Sequence, residues 1–113
     1  MLKGLWLIGP LLMTAVMCGC NTQMYNPNYW HSSFVAGLQK NVGKHFESVR
    51  SGDTGGWAWD RDLVSRTELP NGHLSIKYRY QGTCRYSFEV DPKTDFIVAA
   101  SWEGEERHCA IVP

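Results

Sequence analysis

The spacing of apolar residues changes period once along this chain, and that change limits what it can fold into. Phe34, Leu38, Val42, Phe46 and Val49 recur at intervals of four, four, four and three, the stripe of an amphipathic helix over residues 31–50. Ser32 or Ser33 can cap its start, and Gly52 sits just past Arg50 at its end. Gly37 and Gly43 each weaken a helix by about 1 kcal/mol relative to Ala. A break near Asn41, Val42 and Gly43, giving two short helices, therefore stays open beside a single long one.

Beyond the loop at residues 51–56 the period becomes two. Leu74, Ile76, Tyr78 and Tyr80 alternate with Ser75, Lys77, Arg79 and Gln81, as in a half-buried strand. Tyr86, Phe88 and Val90 alternate with polar neighbours in the same way, and Phe96, Val98, Ala100 and Trp102 give a third strand. Residues 61–69 supply a strand before these. Leu69-Pro70-Asn71-Gly72, Gln81-Gly82-Thr83 and Asp91-Pro92-Lys93-Thr94 are short turns, so consecutive strands run antiparallel. The expected fold is α+β, with an N-terminal amphipathic helix (or two short helices) packed on a three- to four-stranded antiparallel meander.

The start of the chain reads as an export signal rather than as structure. Lys3 supplies positive charge, and Leu5 to Met17 carries none. Thirteen helical residues span about 20 Å, short of the roughly 30 Å of a bilayer core, and Gly9 and Pro10 interrupt the run. Met17-Cys18-Gly19-Cys20 then resembles the lipobox of bacterial lipoproteins, with small residues before an obligatory cysteine. Met17 stands where that motif usually has Leu. Cys18 fits the lipidated position poorly, because bulky Met17 would then precede it. The resemblance implies a lipoprotein signal peptide at 1–19, a fatty-acylated (palmitate-bearing) Cys20, and removal of Cys18 with the signal.

On that reading Cys84 and Cys109 remain, an even pair that reads as one disulfide in an oxidising compartment. Residue pairs mirrored about a turn near Lys93 place Cys84 opposite roughly Trp102, with Cys109 curling back to reach it. Residues 20–30 read as lipidated cysteine and tether, and 31–113 as a single periplasmic α+β domain. Asn21, where enterobacterial lipoproteins retained in the inner membrane tend to carry Asp, favours the outer membrane by resemblance.

From Cys20 onward there are 94 residues with ten Lys+Arg against eleven Asp+Glu. So balanced a surface lacks the positive field that nucleic acid requires, and no partner of that kind is expected. Catalytic motifs fail in turn. Gly52-Asp53-Thr54-Gly55-Gly56 resembles a serine-protease nucleophile loop, but Thr54 replaces Ser and no His–Asp pair accompanies it. Asp53-Thr54-Gly55 matches the aspartic-protease triplet without the hydrophobic strand that precedes it there. His31, His45, His73 and His108 have no metal-ligand spacing and read as surface histidines. Asp60, Asp62 and Glu68 read as a solvated face. The expectation is no enzyme, no metal and no cofactor.

Trp57 and Trp59 stand out within Gly55-Gly56-Trp57-Ala58-Trp59-Asp60. In an extended segment both point to one side. Exposed, they make a platform for a partner protein, peptide or glycan; buried, they are core beneath the helix.

Lipobox, tether, helix and meander together resemble small envelope lipoproteins of Gram-negative bacteria. The layout is loosely similar to the small lipoprotein of the outer-membrane β-barrel assembly machinery, although Leu38, not Met, follows Gly37. A separate family of such lipoproteins fits the residues equally well. The expected function is a lipid-anchored, non-catalytic interaction or envelope-assembly module of the outer membrane, meeting an envelope protein. The alternative is an inhibitor or immunity lipoprotein acting on a periplasmic hydrolase such as lysozyme.

Overall fold

The computed structural model of the chain describes residues 27–52 and 56–111. The expected signal segment, Cys20, most of the expected tether, and Asp53, Thr54 and Gly55 lie outside the described residues. Two helices precede four strands: α1 (Pro27–Gln39), α2 (Phe46–Arg50), β1 (Leu63–Glu68), β2 (Leu74–Arg79), β3 (Arg85–Val90) and β4 (Ile97–Glu103), with a 3-10 turn at Asp60–Asp62 before β1. The strands form one antiparallel sheet in the order β1-β2-β3-β4, the meander that the short turns require. Among the described residues no helix is long and apolar enough to cross a membrane.

The single long helix over 31–50 is not formed. α1 begins earlier, at Pro27, a residue whose fixed φ and missing N–H suit a first helical turn. Ser32 and Ser33 consequently lie inside it rather than at its cap, and the end of the expected tether is helical. The stripe breaks where the two-helix alternative placed it. Asn41 is buried, and its side-chain amide donates to the carbonyls of Gly37 (3.2 Å) and Leu38 (3.1 Å), groups that end the ladder of α1. Gly43 takes φ +91°, and Val42, counted in the apolar stripe, is exposed on the connecting loop.

Phe34 and Leu38 of α1 and Phe46 and Val49 of α2 cover one face of the sheet. Beneath them lie Ile76 and Tyr78 of β2, Tyr86, Phe88 and Val90 of β3, and Ile97 of β4. The other face carries Ser75, Lys77, Ser87, Glu89, Ser101 and Glu103 and is tied across by Lys77–Glu103 at 2.6 Å. β4 departs from the expected alternation. Val90 pairs with Ile97 but Glu89 with Ala99, so Val98 is an extra, bulged residue. One inserted residue moves every neighbour before it to the other face. Ile97 is therefore buried while Phe96 and Val98 are exposed; Ala100 and Trp102, beyond the bulge, face inward as expected. Phe96 is instead stacked on His45 at 4.3 Å.

Cys84 and Cys109 are joined, with Cα atoms 5.2 Å apart. The strand register sets Tyr86, not Cys84, opposite Trp102. The chain therefore turns at Gly104, two residues beyond the mirrored position, before it reaches Cys109. Gly104 has φ +113°, and a Cβ there would lie 2.3 Å from the Thr83 carbonyl oxygen. Only glycine lets the two segments approach so closely. The returning C-terminus is then fastened to α1. His31 Nδ1 hydrogen-bonds the Cys109 carbonyl at 2.7 Å, and the Ile111 N–H donates to the Trp30 carbonyl at 3.1 Å. At the other side of the loop the Thr83 N–H donates to His108 Nδ1 at 2.9 Å.

Candidate functional site

The sheet has two edges, and the fold treats them differently. An edge strand presents unpaired N–H and C=O groups that another strand can use, and proteins commonly cover them. On β4 they are covered at Ile97 and at the Ala100 carbonyl. The Ile97 carbonyl accepts from the Gly43 N–H at 2.8 Å, and the Ile97 N–H donates to the Lys44 carbonyl at 2.9 Å. Further along, Gln39 Nε2 of α1 donates to the Ala100 carbonyl at 2.9 Å. The loop between the helices, made possible by Gly43 and Asn41, thus caps the start of this edge, and Gln39 at the end of α1 reaches its middle.

β1 is the opposite case. Leu69 N–H donates to the His73 carbonyl at 2.8 Å, which fixes the phase of the β1–β2 ladder. With Thr67 opposite Ser75 and Ser65 opposite Lys77, those alternate residues direct their backbone groups at β2. Arg66 and Glu68 direct theirs away from the sheet. Among the described residues β1 pairs with β2 alone. Neither Arg66 nor Glu68 has an ion-pair partner among the described residues.

The segment entering β1 decides where the two tryptophans go. They do not share a side. Ala58 sits between them at φ +58°, a left-handed conformation that an alanine rarely adopts and that reverses the chain between neighbouring side chains. Ala58 itself is fully buried, and its N–H donates to the Tyr86 hydroxyl at 2.9 Å. Trp57 turns inward against Phe34 (5.5 Å between ring centres), Tyr86 (5.1 Å, perpendicular) and Tyr80 (6.4 Å). Trp59 turns outward and is 44% exposed, with the Arg61 guanidinium 5.2 Å above its ring. Leu63 and Val64 follow at 46% and 45% exposure, beside a bulge at the start of β1. Trp59, Leu63 and Val64 thus form an apolar stretch along the entry to the open edge. Sequence alternation missed Leu63 and Val64, because adjacent apolar residues look like core.

Charges frame this stretch. Arg50 at the end of α2 holds both Glu47 (2.6 Å) and Asp60 (3.0 Å), tying the helix to the turn before β1. The hydrogen bond from Arg50 keeps the Glu47 carboxyl below its ordinary range. Burial pushes the Tyr78 hydroxyl up, and the nearby Tyr86 and Asp60 add to this while Arg66 and Arg50 oppose it.

Tyr86 gives the region a measurable pH dependence. Burial raises its hydroxyl to about 12, against a partial lowering by the Ala58 hydrogen bond. An acid whose folded value lies above its unfolded value of about 10 favours the folded state fully below pH 10. That contribution falls away as pH rises from about 10 to about 12, and Tyr78 acts in the same direction. Tyr86→Phe should flatten the loss of urea midpoint across this window. At pH 7 the same change leaves the Ala58 N–H buried without an acceptor and should cost about 1–3 kcal/mol.

The remaining polar clusters are structural in their contacts. His73 Nδ1 meets Glu89 at 2.6 Å, and Asn71 donates to the same carboxylate at 3.2 Å. These two bonds, His73 first, hold Glu89 below the usual carboxylate range. A recess of about 330 Å³ is lined by Asn28, His31, Glu105, Glu106 and Arg107. Three of the four histidines expected at the surface are half-buried and bonded: His31 to the Cys109 carbonyl, His108 to the Thr83 N–H, and His73 to Glu89. Among the described residues no three His, Cys, Asp or Glu side chains converge to hold a metal ion. Comparison with protein-family models, with curated proteins and with solved structures returned no match to this chain.

Proposed function

We propose that the chain is a lipid-anchored envelope lipoprotein, acylated on Cys20 and non-catalytic, whose open β1 edge docks a protein strand at the outer membrane. The single observation that carries the docking half is the asymmetry of the sheet. One edge is partly capped by three hydrogen bonds, with Gly43 and Gln39 donating and the Lys44 carbonyl accepting, whereas the other carries none among the described residues and lies beside Trp59, Leu63 and Val64. Strand addition takes its affinity from main-chain hydrogen bonds and its specificity from side chains flanking the edge. Both elements are present at β1. Of the two tryptophans, Trp59 belongs to this surface and Trp57 to the core that positions it. The anchoring half rests on Met17-Cys18-Gly19-Cys20 and the uncharged run before it.

A photo-cross-linking residue placed at Val64 in intact cells tests the docking, with the exposed Lys93 in the turn after β3 as control. Protein adducts should form from Val64 and not from Lys93. Equal adducts from both positions overturn the docking reading, and an adduct with a wall-degrading enzyme moves it to inhibition. Cys20→Ser should release the protein from membranes and abolish fatty-acid labelling; labelling that persists overturns the assignment of the anchor.

A further inference from the structure

We infer that the strand received by the open edge is β1 of a second copy of this chain, the two joining antiparallel about a two-fold axis through Thr67. The inference rests on the docking reading and names its partner.

Backbone phase restricts the registers first. Only Arg66 and Glu68 direct their N–H and C=O groups outward within the regular part of β1, since Ser65, Thr67 and Leu69 direct theirs at β2. Two copies can therefore pair only where outward residues face outward residues, which leaves registers two residues apart. Charge then selects among them. One register sets Arg66 against Arg66, and another sets Glu68 against Glu68. A third sets Glu68 against Asp62. The register centred on Thr67 sets Arg66 of each copy against Glu68 of the other, twice.

That arrangement pairs Arg66 with Glu68, each of which, like several other surface charges, has no ion-pair partner within the described residues. It is also isologous, as a closed two-fold pair demands. Each Arg66–Glu68 pair exchanges two backbone hydrogen bonds, and the side chains lie directly across from one another, where opposite charges attract and like charges repel. Arg66 and Glu68 sit on the same sheet face as their β2 partners Ile76 and Leu74, so both charge pairs form on one side. The pairing has natural ends. Val64, at the bulge, falls opposite Pro70, which has no N–H to continue the ladder. About five residues of each strand overlap, a short contact. Confinement of both copies to one membrane, through the anchor, raises their effective concentration and favours the pair.

Thr67 on the axis supplies the experiment. Facing residues of a non-hydrogen-bonded antiparallel pair have Cα atoms about 4.5 Å apart, within disulfide reach. In membranes of cells making the full chain, Thr67→Cys should give a disulfide-linked homodimer on non-reducing gels. Ser65→Cys, on the same face of the strand but opposite Leu69, should not. In the Thr67→Cys background, Arg66→Glu or Glu68→Arg alone places like charges across the axis and should lower the dimer yield by about tenfold. The two changes together restore opposite charges and should restore the yield. Both side chains are exposed, so an unchanged melting temperature confirms that the single variants still fold. A monomeric Thr67→Cys protein, equal cross-linking from Ser65→Cys, or a yield indifferent to the charge swaps overturns the inference. Should Val64 capture a different protein while Thr67→Cys stays monomeric, the docking reading survives and self-pairing does not.

Discussion

Phe34→Ala should destabilise the domain by about 3–5 kcal/mol, enough to leave much of it unfolded at physiological temperature. Phe34 is fully buried and is the side chain of α1 that meets the aromatic cluster, with Tyr80 at 5.0 Å and Trp57 at 5.5 Å. Its loss removes the apolar transfer energy of the ring. It also leaves a void that the neighbouring rings cannot fill, because each is fixed by a further contact: Trp57 and Tyr80 both touch Tyr86. Gly37 one turn on offers no relief, since the Trp57 ring already lies 3.3 Å from the position a Cβ would take. Urea unfolding followed by tryptophan fluorescence gives the midpoint. Phe96→Ala, at an exposed ring, should shift it by less than about 1 kcal/mol. Equal effects from the two variants would mean that α1 is not packed as described.

Removing the Cys84–Cys109 bridge should cost about 3.5 kcal/mol, the chain-entropy value for a closed loop of 25 residues. The cost is concentrated at the C-terminus. Cys109 is fully buried, and the bridge holds the segment that carries the His31, Trp30 and His108 contacts in place. The paired change of Cys84 and Cys109 to Ala should lower the thermal midpoint and expose the backbone around Cys109 and Ile111 to rapid amide exchange. Exchange in the Tyr86–Phe88 strand should rise less, by the global loss alone. Uniform exchange throughout would indicate that the bridge supports the whole domain rather than its end. A small domain with so limited a core depends on such a cross-link more than a large one does.

The strands were readable because their turns announce themselves. Pro70, Asn71 and Gly72, and Asp91 with Pro92, fix chain reversals through local backbone chemistry that no distant contact overrides. The two central strands followed from a strict alternation, with Ile76, Tyr78, Tyr86 and Phe88 all buried. The misses have specific causes. The helical stripe counted Val42 because five apolar residues kept a helical interval; the end of α1 was set by the side chain of Asn41 folding back on Gly37 and Leu38, a local cap, and by the long-range bond of the Gly43 N–H to Ile97. The phase of Phe96, Ile97 and Val98 was lost to a bulge, which adds one residue without leaving any composition mark. Trp57 and Trp59 were separated by a left-handed Ala58, where a glycine would have given warning. Openness of an edge is a property of what does not pair, so β1 as a candidate site was illegible in the sequence, as were the bonds of Gly43, Lys44 and Gln39 to β4.

That partial closure also bears on stoichiometry. A protein with two open edges can add neighbours indefinitely, and ordered fibres grow in that way. Here three hydrogen bonds obstruct addition along the first half of β4 while β1 carries none among the described residues, so addition at β1 is favoured over addition at β4. Gly43 and Asn41 therefore do more than end a helix: by turning the chain across the start of β4 they bias any association through this sheet toward a finite one.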